Sequence, residues 1–593
     1  MLLLRNYLMN GTLEESIKLV GVEHMMKKFK KSFVTVLTSA MLMTSLAACG
    51  GSSVNNANTG NTGDGAATGD SMYSAKFENG KYVEPVSITT VFPITTNMKF
   101  KNGENIENNV HTKWAKETLG IDIKYLWTVS EQNNAYATKL RLMLSSGQEM
   151  PDIIAFRGDI KLINDLIDSG QFADAGELFD KYASDAYKEA MAQDPTAWNP
   201  YIRDGVRMGI PILENAYNND PVMYIREDWL KKLNLKAPET LDELETVMEA
   251  FTNGDPDGNG KKDTIALSIG FKNNLNTWMS DTGWVFGMFG AMPNQWNVGS
   301  DGKLVYGSTQ PEMKPGLLKL QEWMKKGYIS KESGLYDEVK ATEAFTAGKA
   351  GIIVGPYWMT GWPLSDLKSN VPGAEYKPYP LPAGPDGKVG RHGTPISSGA
   401  VLINKKMKHK DAFFVYQNYL FDNWANPDGE GPFANGFAEG YDYAIGPNGE
   451  IYGEQDSDKI PGGWVDAIRY TLTFDGAIIP YLRINGLAKL ANGEQPSTPY
   501  EESLAKAIPE QMQAAKIIVD QKDAVMMEMF TGKPTPTQVS RGDMLSKLEK
   551  EVQNKIIYGQ SSIDEFDSFV EKYNSSGGIK IAEEVNEWYE SVK

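Results

Sequence analysis

Ten residues near the middle of the chain, Asp255-Pro256-Asp257-Gly258-Asn259-Gly260-Lys261-Lys262-Asp263-Thr264, carry oxygen donors at the spacing of a calcium loop. Asp255, Asp257 and Asn259 occupy positions 1, 3 and 5, Gly260 position 6, and Asp263 position 9. Lys261 would add its carbonyl at position 7. Position 12 is Ala266, where an EF-hand has glutamate. Carboxylates held this close repel one another unless a cation lies between them, so a structural Ca2+ is the expected occupant. The same Asp/Gly/Asn composition also suits a metal-free turn between a helix and a strand.

Aromatic residues are the second chemical signal. Trp278, Trp284, Trp296, Tyr357, Trp358, Trp362, Trp424 and Trp464 all fall in Gly/Pro-rich contexts. Such rings serve as core, or offer flat faces with polar edges that suit sugars. Nothing matches a nucleophile elbow, a zinc motif or a phosphate loop. The four histidines, His24, His111, His392 and His409, are not at metal spacing. Paired glycosidase carboxylates leave no local signature, so a secreted carbohydrate-active hydrolase stands as an alternative.

One cysteine occurs in 593 residues, at Cys49. It follows a basic patch (Lys27–Lys31), a mostly apolar run (Phe33–Leu46) and Ala47-Ala48. That order is a secretory signal, and its apolar run is too short for a membrane span. Leu46-Ala47-Ala48-Cys49 resembles a bacterial lipobox. The resemblance implies cleavage before Cys49, lipidation of its thiol, and an address on the outer side of the cell membrane, of Gram-positive type. Residues 1–26 read as an extension ahead of a better start at Met25 or Met26. Residues 27–48 then form the signal peptide, and 49–83 the lipidated cysteine with a flexible Gly/Ser/Asn/Thr tether.

The remaining chain is long enough for two or more domains. A formal charge of −18 excludes the basic surface that a nucleic-acid partner needs. Val86–Phe92, Ile121–Trp127 and Pro151–Phe156 read as strands. They alternate with helices over Asn109–Leu119 and Ala135–Ser146, which predicts an α/β sheet flanked by helices. Ligands of such sheets sit beyond the strand carboxyl ends, here at Pro93–Phe100 and Arg157–Asp159. Thr240-Leu241-Asp242-Glu243 is a capping box opening a helix to Phe251. From Glu501 onward the pattern is mostly helical.

The run Ala344-Phe345-Thr346-Ala347-Gly348-Lys349-Ala350-Gly351, continued to Gly355-Pro356-Tyr357-Trp358, resembles the signature of extracellular solute-binding proteins that serve ABC importers for oligosaccharides. Met150-Pro151-Asp152-Ile153, Gly209–Leu230 and Ser398–Leu420 match further family segments. Gly559–Asp567 with Glu583–Tyr589 is similar to the large lipoprotein branch that includes alginate- and aldouronate-type binders. The resemblance implies two α/β lobes, each a sheet flanked by helices, with three crossovers near 213–220, 353–357 and 400–405. It divides the chain into a first lobe of 84–215 with 354–402 and a second of 216–353 with 403–593. The implied function is capture of an oligosaccharide, a uronate-bearing one included, and delivery to a membrane permease, without catalysis and as a monomer.

By position, the resemblance puts Tyr357, Trp358 and Trp362 at the stacking site, with Trp464 as a further aromatic. Glu214, Asn218, Arg157 and Asp159 would meet sugar hydroxyls. Arg157, Lys99 and Arg391 are the basic candidates for a uronate carboxylate. Alginate-type binders carry a similar calcium loop with an acid where Thr264 stands. A calcium-stabilised surface adhesion lipoprotein is the remaining alternative.

Overall fold

The strand Val86–Ile94 is rich in β-branched residues and pairs in parallel with Ile121–Ser130, from Val86↔Ile121 to Ile94↔Ser130. Beside it, Thr89 donates from its backbone nitrogen and hydroxyl to Asp152 at 2.9 and 2.7 Å, which docks the strand Ile153–Arg157. That strand runs antiparallel to Ser397–Ile403, which in turn runs antiparallel to Ile210–Leu213. The carboxyl ends at Ile94, Ser130 and Arg157 thus open toward the end of the lobe from which Leu213 leaves and at which Ser397 enters. In this computed structural model residues 72–95, 98–425 and 431–592 are described.

The second lobe has a four-stranded sheet ordered Ile265–Ser268, Ala350–Gly355, Val222–Arg226, Tyr376–Tyr379. Gly351 sits where a Cβ would come within 2.1 Å of the Phe251 ring. The glycine lets the strand settle onto Phe251, which packs edge-on against Trp229 at 5.3 Å. The Thr240–Glu243 capping box forms as expected and opens the helix Leu241–Asn253. The C-terminal helices Pro536–Ile557, Glu565–Tyr573 and Ile579–Val592 bury Val552, Ile556, Phe566, Phe569 and Val585 in the same core. Among the described residues no helix is long and apolar enough to cross a membrane.

Strand pairing redraws the expected division. The segment 353–357 is not a crossover, because Ala350–Gly355 and the later strand Tyr376–Tyr379 both flank Val222–Arg226 in the second-lobe sheet. The segment 400–405 is not one either; Ala400–Ile403 lies inside a first-lobe strand. The helix Asp411–Asn423, and described residues beyond it from Phe433 to Ala477, pack into the first-lobe core instead of the second. The three connections are therefore about 214–221, 393–396 and 478–482. Tyr217 and Tyr481, on the first and last, pack edge-on at 5.6 Å and touch the cores of both lobes.

The expected start extension, signal peptide and Cys49 lie outside the described residues. The tether was expected to reach residue 83, but packing begins earlier. Tyr73 stacks on Phe77 at 4.1 Å, and buried Tyr82 donates to Asp411 at 2.7 Å. Three aromatics within ten residues suffice to tie this segment down.

Candidate functional site

The open strand ends of the first lobe border a cavity of about 320 Å3, lined by Pro93, Thr95, Met98, Glu131, Tyr136, Phe156, Arg157, Arg469 and Phe474. This is the place the carboxyl-end rule singled out. Arg157 ends its strand there. Its Nη1 lies 2.7 Å from both Glu214 and Asp475, and its Nη2 donates to the Thr473 carbonyl at 3.0 Å. Ser398 Oγ also donates to Glu214. Arg469 continues the network, 2.6 Å from Asp475 and 3.1 Å from Asp466. Burial pushes the Asp466 carboxyl up. For Arg469 burial disfavours the charge, but Asp475 and Asp466 outweigh it and hold its pKa above the usual value.

Phe474 presents its ring beside this cluster, 4.9 Å from Phe92 and 5.8 Å from the Arg157 guanidinium. Its φ of 72° lies in the left-handed region, which a bulky residue adopts at a cost of about 1–3 kcal/mol. Strained residues of this kind concentrate at ligand sites. Sequence reading missed Phe474, Asp475 and Arg469, for no local motif marks them.

On the second lobe, Trp358 stacks with Trp278 at 5.8 Å, with 25° between the planes. The Trp358 indole N–H donates to the Asn218 carbonyl at 2.6 Å. Glu214 and Asn218 belong to one connection, so that connection touches the ionic floor through one residue and the aromatic pair through another. Tyr357, expected in the stacking site, is 1% exposed and packs in the second-lobe core. The chain turns after Pro356, so Tyr357 faces inward and Trp358 outward. Trp362 is 49% exposed. Asp159 caps the helix Ile160–Asp168 and pairs with Arg141, so its carboxylate serves the scaffold. Trp464 donates to the Asp442 carbonyl at 2.9 Å and lies outside the cavity lining.

Of the three basic candidates, Arg391 is fully buried against Asp220 and donates to the Ile518 carbonyl at 2.9 Å. The neighbouring His392 bonds the Asn219 carbonyl at 3.0 Å and lies 3.7 Å from Asp281. These two residues lock the middle connection to the first one. Lys99 is exposed and lies outside the cavity lining, next in sequence to the lining residue Met98. A second cavity, about 360 Å3, borders Asn215 and Ile478–Arg483, with Trp424, Phe433 and Tyr500 around it.

The loop 255–264 joins its helix to its strand as expected. Asp255 accepts the backbone N–H groups of Asn259 at 3.0 Å and Gly260 at 3.1 Å. The Asn259 amide bridges Asp257 at 2.7 Å and Asp263 at 3.0 Å. Lys349 lies 2.9 Å from Asp263 and 3.6 Å from Asp257, and its hydrogen bond holds the Asp263 carboxyl below the usual range. The Lys261 backbone N–H donates to Asn259 at 2.8 Å. Among the described residues no group of three or more His, Cys, Asp or Glu is placed to hold a metal. The repulsion that called for a cation is relieved here by a lysine and an amide. The donor chemistry is nonetheless all hard oxygen, on an exposed turn.

A curated relative, the polygalacturonan/rhamnogalacturonan-binding protein YtcQ of Bacillus subtilis (strain 168), is 26% identical over 467 residues, 77% of this chain and 83% of that protein. The fructooligosaccharide ABC transporter substrate-binding protein FusA of Streptococcus pneumoniae is 31% identical over 293 residues, 46% of this chain and 49% of that one. The crystal structure of alginate-binding protein AlgQ2 without calcium ion superposes with a TM-score of 0.57 at 20% identity, over 88% of this chain and all of that one. It confirms the two-lobed α/β fold. The family model of the bacterial extracellular solute-binding proteins matches residues 99–426, more than half of the 593 residues, and the chain belongs to that family.

Proposed function

We propose that the chain is the substrate-binding lipoprotein of an ABC importer and captures an oligosaccharide between its lobes. The observation that carries this reading is the connection 214–221, whose Glu214 joins the ion-paired floor and whose Asn218 carbonyl holds the Trp278–Trp358 pair. The named ligands of YtcQ and FusA support the substrate class. One is an acidic pectic polymer and the other a neutral fructan, so they leave ligand charge open.

In this reading Arg157 and Arg469 donate N–H bonds to ring and hydroxyl oxygens, and Glu214 and Asp475 accept from hydroxyl O–H groups. Charge-assisted bonds of this kind are about twice as strong as neutral ones. Phe474 and Trp358 cover the apolar faces of sugar rings. Closure about three connections completes the cage. A micromolar Kd, about −8 kcal/mol, holds the sugar while still allowing its release. Both carboxylates are tied to guanidinium groups, which suits binding better than the acid and base roles of a glycosidase.

Cys49 supplies the lipid anchor and raises the local concentration of the protein at its permease. The loop 255–264 would take Ca2+ through Asp255, Asp257, Asn259, Asp263 and the Lys261 carbonyl, and the ion would brace the helix–strand turn. Calorimetric titration with an oligosaccharide panel tests the central reading. Saturable binding with the sugar recovered intact is expected; turnover, or no binding by any sugar, would overturn it.

A further inference from the structure

We infer that the cleft is built for an uncharged oligosaccharide and rejects uronates. This rests on the sugar-binding reading above and names the charge class that the relatives leave open.

Both arginines that line the first-lobe cavity already have carboxylate partners. Arg157 is held between Glu214 and Asp475, each at 2.7 Å, and Arg469 between Asp475 at 2.6 Å and Asp466 at 3.1 Å. A further acid, Glu131, lines the same cavity. Its carboxylate accepts the Tyr136 backbone N–H at 3.2 Å and has no basic partner within ion-pair distance among the described residues. Two guanidinium groups therefore face four carboxylates, a formal balance of −2. Burial pushes Asp466 up, and counting it as neutral still leaves −1.

Around this first cavity the other cations do not change the balance, and Arg483 lines the second cavity instead, where its guanidinium bonds the Tyr357 and Tyr500 hydroxyls. Arg391 is sealed in the interior with Asp220. Arg141 is paired with Asp159. Lys139 lies over the Trp127 ring, 4.4 Å from its centroid. Lys99 is a single exposed ammonium outside the cavity lining, a hydrated point charge without the fork that grips a carboxylate. A uronate entering the cavity would bring one more carboxylate to a cluster that already holds more carboxylates than guanidinium groups, and would lie half-buried beside like charges with no cation of its own.

Neutral hydroxyls meet the opposite situation. A carboxylate has about four acceptor sites, and the arginines use only some of them. Those left over on Glu214, Asp475 and Glu131 are fixed acceptors for O–H donors. The chain's formal charge of −18 adds a long-range bias against anions.

The test is calorimetric titration of the purified protein with matched neutral and acidic oligomers: galacto- and galacturono-, manno- and mannurono-, gluco- and glucurono-oligosaccharides, with fructo-oligosaccharides added. Each is run at low and at half-molar sodium chloride. The neutral member of the recognised pair should bind at least about thirtyfold more tightly than its uronate, with an affinity insensitive to salt. Tighter binding of a uronate, weakening with salt, would overturn this inference and leave the sugar-binding reading standing. Absence of binding by every oligomer would overturn both.

Discussion

Arg157 Nη1 and Glu214 Oε1 meet at 2.7 Å where the last residue of a first-lobe strand faces the first residue of the connection to the second lobe. The contact makes the proposed binding floor and the connection between the lobes parts of one object. Asp475, just before the last connection, holds the same guanidinium at 2.7 Å. A ligand that hydrogen-bonds this cluster would therefore touch the first of the three connections at Glu214 and the segment leading into the last at Asp475.

Replacing Arg157 by alanine should be costly for binding and moderate for folding. Glu214 and Asp475 would face each other without a cation, with a loss of stability of about 1–3 kcal/mol. Oligosaccharide affinity should fall by about a hundredfold or more, read by calorimetry. Arg157→Lys should not restore it, since an ammonium cannot hold both carboxylates and the Thr473 carbonyl in one plane.

The two contributions of Trp358 are separable. Trp358→Ala removes the ring and should weaken the sugar complex by about ten- to a hundredfold. Trp358→Phe keeps a stacking face and loses only the bond to the Asn218 carbonyl. It should stay within about tenfold of the parent, the worth of one neutral hydrogen bond. Equal losses in both variants would show that the ring does not meet the ligand.

Asp220→Asn should be among the most destabilising single changes in the hinge. It leaves the Arg391 guanidinium buried with no counter-charge, at a cost of about 3–5 kcal/mol. Thermal melts followed by circular dichroism should show a large fall in Tm. The apolar pair Asp220→Leu with Arg391→Met should recover much of it.

Glu528 offers a pH signature. Burial pushes its carboxyl up to about 7, against the opposing pull of the Phe530 and Trp296 backbone N–H groups. The folded protein then holds a proton that the unfolded chain has released above about pH 4.5. Stability is fully present at low pH and falls as pH rises through about 7. Glu528→Gln should be more stable than the parent near pH 8 by up to about 3 kcal/mol, seen as a higher Tm, and show no such gain near pH 4.

Millimolar calcium should stabilise the fold relative to chelator, by up to about 2.7 kcal/mol at a hundredfold excess over Kd, and this is read as a higher Tm. The double change Asp257→Asn with Asp263→Asn should abolish the rise. A melting curve indifferent to calcium in the parent would assign the loop 255–264 to a turn held by Lys349 and Asn259 alone.

Much of the scaffold was legible because its signals are local. The alternation over Val86–Phe92 and the Thr240–Glu243 capping box each act within a few residues, and each formed. The site was legible only in part. Glu214, Asn218, Arg157 and Trp358 lie together about one connection, whereas Tyr357 faces the core and Asp159 caps a helix. What stayed hidden is nonlocal. Thr473, whose carbonyl Arg157 bonds, is 316 positions away in sequence, and Phe474 and Asp475 follow it. The second and third connections, which the resemblance implied near 353–357 and 400–405, lie elsewhere because the sheet a strand joins is set by pairing between segments distant in sequence.

The most direct measurement is a tryptophan-fluorescence and calorimetric titration of the parent protein and of Arg157→Ala with the recognised oligosaccharide, followed by chromatography of the recovered sugar. The account predicts a saturable spectral change with micromolar affinity in the parent, its loss in Arg157→Ala, and sugar returned unaltered. Cleaved sugar, or binding that survives intact in Arg157→Ala, would contradict it.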